Sequence, residues 1–101
     1  MVDSQTGKRI VSAQYPETES AIVSQKKGWA EQDPLLWWEN TKKAILKANA
    51  SGQYNPKDIG AIGIAYQMHG LVIVDKDQQP LRNSIIWCDS RAVEIGNAAF
   101  E

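Results

Sequence analysis

Residues 59–70 read Ile59-Gly60-Ala61-Ile62-Gly63-Ile64-Ala65-Tyr66-Gln67-Met68-His69-Gly70, and their pattern sets the fold class. The first eight are nearly all apolar. A short continuous apolar run bounded by turn signals predicts a strand buried on both faces, as in a parallel sheet. Its glycines and alanines leave room for a neighbouring backbone or helix to approach closely. The last four residues leave that strand as a polar turn. In open α/β sheets, ligands bind beyond the carboxyl ends of the strands, so this turn occupies a favoured place. Gln67 and His69 can donate and accept hydrogen bonds, and Gly70 lets the backbone come near a ligand. The alternative is that His69 only ties its loop to the backbone.

Upstream of this stretch, Asp33-Pro34 predicts a helix start. Asp33 offers a side-chain acceptor to free backbone N–H groups, and Pro34 suits the first helical position. Trp37, Trp38, Thr41, Ile45 and Ala48 then recur at helical spacing as the apolar face. Lys43 and Lys47 sit toward the end where the helix dipole favours cations, and Ser51-Gly52 stops the helix. Nearer the start, Ser4-Gln5-Thr6-Gly7 is a turn before strand signals at residues 10–15. Only three residues precede it, which reads as a hairpin with its first strand mostly missing. Residues 17–32 read as a loop or short edge strand around Ala21-Ile22-Val23.

Downstream, residues 71–74 and 84–87 flank the turn at residues 75–80 and predict a β-hairpin. Asp89 or Ser90 caps a final helix with Ala92, Ile95, Gly96 and Ala99 on one face, running to Glu101. Strand, helix, strand, hairpin and helix in that order make an α/β layout.

The 101 residues amount to one small domain or part of a larger one. Eleven basic and twelve acidic residues leave a net charge of −1, so no electrostatic footprint points to nucleic acid or an anionic membrane. No apolar run is long enough to span a bilayer, and the N-terminus lacks a secretory pattern. Cys88 is the sole cysteine. That excludes an internal disulfide and fits a reducing compartment, the cytoplasm by default. No glycine-rich phosphate loop and no paired Cys/His metal spacing occur. Nothing in the spacing supports a Ser–His–Asp grouping around His69. Trp29, Trp37 and Trp38 read as core, and Cys88 as a small inert side chain. Asp75 and Asp77 read as turn residues, and Lys26-Lys27 as a solvated pair. Trp87 either packs in the core or walls a sugar pocket. Asp89 and Arg91 either cap and pair or belong to the same site.

Three blocks taken together carry a resemblance. They are Trp29-Ala30-Glu31-Gln32-Asp33-Pro34 with Trp37-Trp38, then residues 62–70, then Ile85-Ile86-Trp87-Cys88-Asp89-Ser90-Arg91. In this order and at these separations they resemble the N-terminal domain of the FGGY carbohydrate kinases, most closely the members acting on D-xylulose. The resemblance spans residues 2–101. It implies an N-terminally truncated ribonuclease-H-like domain, the actin-type ATPase fold, with a β-hairpin.

The parent protein would transfer the γ-phosphate of ATP, with Mg²⁺, to a hydroxyl of D-xylulose or a related ketose. Met68 and His69 would contact the sugar, Gln67 and Gly70 would shape the same loop, and Trp87 would line the pocket. The family's first strand with its Asp-x-Gly-Thr/Ser turn, most of the second strand, the catalytic aspartate and the C-terminal domain would lie outside residues 1–101. No catalytic residue is therefore expected in this chain, and the isolated chain is expected to lack kinase activity. An exposed sheet edge is expected to drive self-association. The rival expectations are an FGGY kinase for another ketose or a polyol, and a noncatalytic α/β interaction module.

Overall fold

The computed structural model describes residues 1–99. In chain order it contains β1 (Glu31–Gln32), α1 (Pro34–Ala50), a 3₁₀ turn (Pro56–Asp58), β2 (Ser84–Ile85) and α2 (Val93–Ala98). The chain divides into two compact units. One comprises Met1–Ser20 with Trp37–Ala65; the other comprises Ala21–Leu36 with Tyr66–Glu101.

In the first unit, the expected N-terminal hairpin forms around an antiparallel bridge between Val2 and Arg9. Asp3 builds its turn. One carboxylate oxygen accepts from the Gln5 and Thr6 N–H groups and the Thr6 hydroxyl, while Gly7 supplies a left-handed φ of 68°. Residues 10–15 do not continue as a paired strand among the described residues. Instead Ile10 N–H donates to the Met1 carbonyl and the Met1 ammonium donates to the Val11 carbonyl.

Helix α1 starts and stops where its caps predict. Asp33 Oδ1 accepts the Leu35 N–H at 2.9 Å, and Pro34 is the first helical residue. At the far end Gly52, at φ 66°, donates to the Asn49 carbonyl. The covered face is narrower than the spacing suggests. Ala48 is buried and Trp37 and Ala44 are half-buried, but Trp38 and Ile45 are exposed. Trp38 lies about 100° round the helix from Trp37, beyond the edge of the covered stripe.

The expected buried strand at residues 59–66 is not one. No described segment pairs with it, and Ile62 and Ile64 remain 82% and 80% exposed. A parallel strand owes its burial to ladder neighbours and to helices over both faces, and the described residues supply neither to this run.

In the second unit, four short segments run antiparallel in the order Val23, Glu31, Ile85, Leu71. Glu31 and Gln32 of β1 pair with Ile85 and Ser84 of β2; Val23 bridges Glu31, and Leu71 bridges Ile85. The segment containing Val23 is thus a short edge, and Glu31–Gln32 is a strand that periodicity missed. The expected hairpin closes tightly. Leu81 N–H donates to the Ile73 carbonyl, and Asp75 Oδ1 accepts the N–H groups of Asp77 and Gln79. Only Val72 separates the two paired positions on one arm. Arg82, Asn83 and Ser84 separate them on the other, which makes a bulge. Ser84 and Ile86 are buried, with Ala30 beside them in sequence register.

Helix α2 differs from expectation at its start. Its N-cap is Ala92, with no side-chain cap, because Asp89 and Ser90 are engaged elsewhere. Ile95 is 73% exposed, so the expected apolar face of this helix is not covered. The helix ends at Ala98 with Ala99 as its C-cap, short of the expected run; residues 100–101 lie outside the described residues.

Candidate functional site

The site is built on the second unit's ladder. Leu71 N–H donates to the Ile85 carbonyl at 2.9 Å across an antiparallel bridge. His69 lies two residues before Leu71 and Trp87 two residues after Ile85, so the two segments leave the same end of this bridge. At this end both arms leave the ladder: His69 turns the backbone at φ 64°, and Trp87-Cys88 turn where Asp89 N–H donates to the Ile86 carbonyl.

All five residues expected to face the sugar are exposed. Gln67, His69 and Gly70 lie on the surface, Met68 is 60% exposed and Trp87 69% exposed. His69 therefore does not lie in a closed core. Its ring makes no hydrogen bond among the described residues, so both nitrogens remain available. Cys88 is exposed beside Trp87.

Two residues beyond Trp87 begins a buried polar cluster. The Asp89 carboxylate, 4% exposed, accepts the Ala30 N–H at 2.7 Å and the Arg91 N–H at 2.9 Å. Arg91 Nε lies 2.9 Å from both Asp89 oxygens, and Arg91 Nη2 reaches Asp89 Oδ2 at 2.7 Å and Glu31 Oε1 at 2.8 Å. Arg82, on the bulge, pairs with the same Glu31 oxygen. The guanidinium of Arg91 also stacks on the Trp29 ring, 3.9 Å from its centroid. The Arg91 hydrogen bonds hold the Asp89 carboxyl well below its ordinary 3.8, against the opposing effect of burial. Asp89 and Arg91 do pair, as expected, but in a buried site rather than on the surface. Glu31 was not legible as their partner. The i, i+2 spacing puts Trp29 and Glu31 on one side of an extended segment, whereas Asp89 and Arg91 meet in a turn that the Asp89 carboxylate closes on the Arg91 N–H.

One close approach calls for glycine. Gly28 sits at φ 82°, and a Cβ there would meet Ser90 Oγ at 2.6 Å. Its carbonyl accepts both the Ser90 N–H and the Ser90 hydroxyl, which fastens the segment after Asp89 to the segment before Trp29.

A larger groove, about 720 Å³, lies in the first unit, between residues 11–15 and the α1 face of Trp37, Thr41, Ala44 and Ala48. None of the five expected sugar residues lines it. Among the described residues, no group of three or more His, Cys, Asp or Glu side chains could hold a metal ion. No helix among them is long and apolar enough to cross a membrane.

Residues 1–99 match the model of the FGGY family of carbohydrate kinases, N-terminal domain. Over 80 residues the chain is 39% identical to a protein named xylulose kinase from Bacillus subtilis (strain 168), covering 79% of this chain and 15% of that protein. It is 33% identical over 99 residues to one named glycerol kinase 3 from Streptomyces avermitilis, covering 97% of this chain and 19% of the relative. The chain thus spans less than a fifth of these relatives' length. A crystal structure of a xyloylose kinase from Brucella ovis superimposes with a TM-score of 0.69 at 33% identity, covering 81% of this chain and 18% of that one.

Proposed function

Because the chain belongs to the FGGY family of carbohydrate kinases, we propose that residues 1–101 are part of the N-terminal domain of a xylulokinase-like enzyme and supply one wall of its acceptor-sugar site. The parent transfers the γ-phosphate of ATP, with Mg²⁺, to D-xylulose and yields D-xylulose 5-phosphate. Met68 and His69 contact the ketose, Gln67 and Gly70 shape their loop, and the Trp87 indole packs against an apolar face of the sugar. The observation that carries this proposal is that His69 and Trp87, each two residues beyond the Leu71–Ile85 bridge, leave the ladder at the same end and are both exposed.

The described residues do not fit a nucleotide–metal site. They hold no cluster of metal-ligating side chains and no glycine-rich phosphate loop, so no step of phosphoryl transfer is assigned to them. The isolated chain is expected to show no ATP-dependent turnover of D-xylulose, which a coupled assay on residues 1–101 checks. It belongs to the cytoplasm and self-associates through residues 59–66, whose apolar side chains and ladder groups lack partners among the described residues.

Steady-state kinetics of the full-length parent test this function. His69→Ala is expected to raise KM for D-xylulose about tenfold, the scale of one lost hydrogen bond to substrate, and to leave KM for ATP unchanged. An unchanged KM for the sugar would remove His69 from the site. Similarity to a glycerol kinase supports a second acceptor class, a polyol. A panel of D-xylulose, other ketoses and glycerol, ranked by kcat/KM on the same protein, separates the two.

A further inference from the structure

We propose that Arg91, with Asp89 and Glu31, is a positioning device that fixes the Trp87 turn and so sets affinity for the acceptor sugar. The inference rests on the sugar-wall proposal above, because it gives Trp87 a ligand to meet.

Trp87 itself is 69% exposed, so little of the indole is covered. Its position depends on the two residues that flank the turn. On one side Ile86, 3% exposed, donates its N–H to the Ala30 carbonyl at 3.1 Å. On the other side Asp89 Oδ2 accepts the N–H of the same Ala30 at 2.7 Å. One peptide neighbourhood on the strand before α1 therefore grips the turn at both ends. Asp89 can do this only with its carboxylate held at a fixed angle, and Arg91 does the holding. Its Nε and Nη2 take the carboxylate as a fork, and Nη2 continues to Glu31 Oε1 at 2.8 Å. Glu31 lies in register with Ile85 on β2, so the far end of the clamp is anchored in the ladder. Trp29 closes the stack under the guanidinium. A planar, permanently charged fork suits this geometry, and a lysine ammonium supplies a single point of charge.

The acceptor-facing residue thus inherits its precision from groups that never touch the sugar. Small displacements of a binding group from its productive place have large kinetic effects.

The test is a double-mutant cycle in the full-length parent, read as KM for the acceptor against kcat and KM for ATP. Asp89→Asn and Arg91→Lys are each expected to raise KM for the acceptor about tenfold, with kcat within about twofold and KM for ATP unchanged. In a Trp87→Ala background, Asp89→Asn is expected to raise KM for the acceptor no further, because its effect runs through the indole. Arg91→Lys, which retains the charge, is expected to retain more acceptor affinity than Arg91→Met. If Trp87→Ala raises KM for the acceptor while Asp89→Asn and Arg91→Lys only lower thermal stability, the positioning role is overturned and the sugar wall stands. Additive effects in the cycle overturn it equally. If Trp87→Ala leaves KM for the acceptor unchanged, the sugar wall and the positioning role fall together.

Discussion

His69 holds its backbone at φ 64°, a region that L-residues with a Cβ occupy at a cost. Its conformation and its chemistry can therefore be separated by substitution. His69→Gly removes the imidazole and suits the backbone, so the thermal midpoint should hold while affinity for the acceptor falls. His69→Val places a β-branched side chain at the same dihedral and should lower stability by about 1–2 kcal/mol, seen as a lower midpoint. Asp89 carries a second prediction at this scale. Its folded value lies below the ordinary 3.8 because Arg91 hydrogen-bonds the ionised form. A depressed carboxylate contributes stability above its unfolded value and loses it as pH falls through the folded one. The thermal midpoint difference between the parent sequence and Asp89→Asn should be constant near neutrality and shrink as pH falls below about 4. A difference that grew on acidification would contradict the geometry of the clamp.

At the scale of single elements, α1 was the most legible. Its start at Asp33-Pro34 and its stop at Gly52 are local chemistry, and the structure places them at those residues. Asp33→Ala should cost about 1 kcal/mol through the unsatisfied N–H groups of the first turn, measured as a lower midpoint by helical circular dichroism. The turn at residues 75–79 was equally readable, since Asp75 builds it from its own neighbours. Elements that depend on distant partners were not. Glu31–Gln32 carries no strand signature and becomes a strand only because β2 pairs with it. Residues 59–66 carry a strong one and have no described partner. Asp89 looked like a helix cap because its neighbours are helical, yet it faces Ala30, 59 positions away. The expected sugar residues rest on a local motif. Their clamp does not, because it joins residues far apart in sequence.

At the scale of the whole molecule, the buried apolar residues among the described ones are few: Val11 and Ala48 in one unit, Ala30 and Ile86 in the other. Burial of that size offsets little of the conformational entropy lost on folding. The apolar residues of the run at 59–66 remain in water. The isolated chain is therefore expected to scatter light as an oligomer at micromolar concentration, and to shift to smaller species when Ile62 and Ile64 are both replaced by lysine. A monomer that resists dilution and is unchanged by those substitutions would rule out association through this segment.

The hold on the Trp87 turn runs through the main chain of Ala30, whose carbonyl and N–H face opposite ends of one loop. Replacing a side chain with alanine can report nothing at a residue that is already alanine, and glycine there keeps both atoms. A survey of truncated side chains would pass over this residue in silence. Deleting the N–H alone, by an amide-to-ester exchange at residue 30, reaches it.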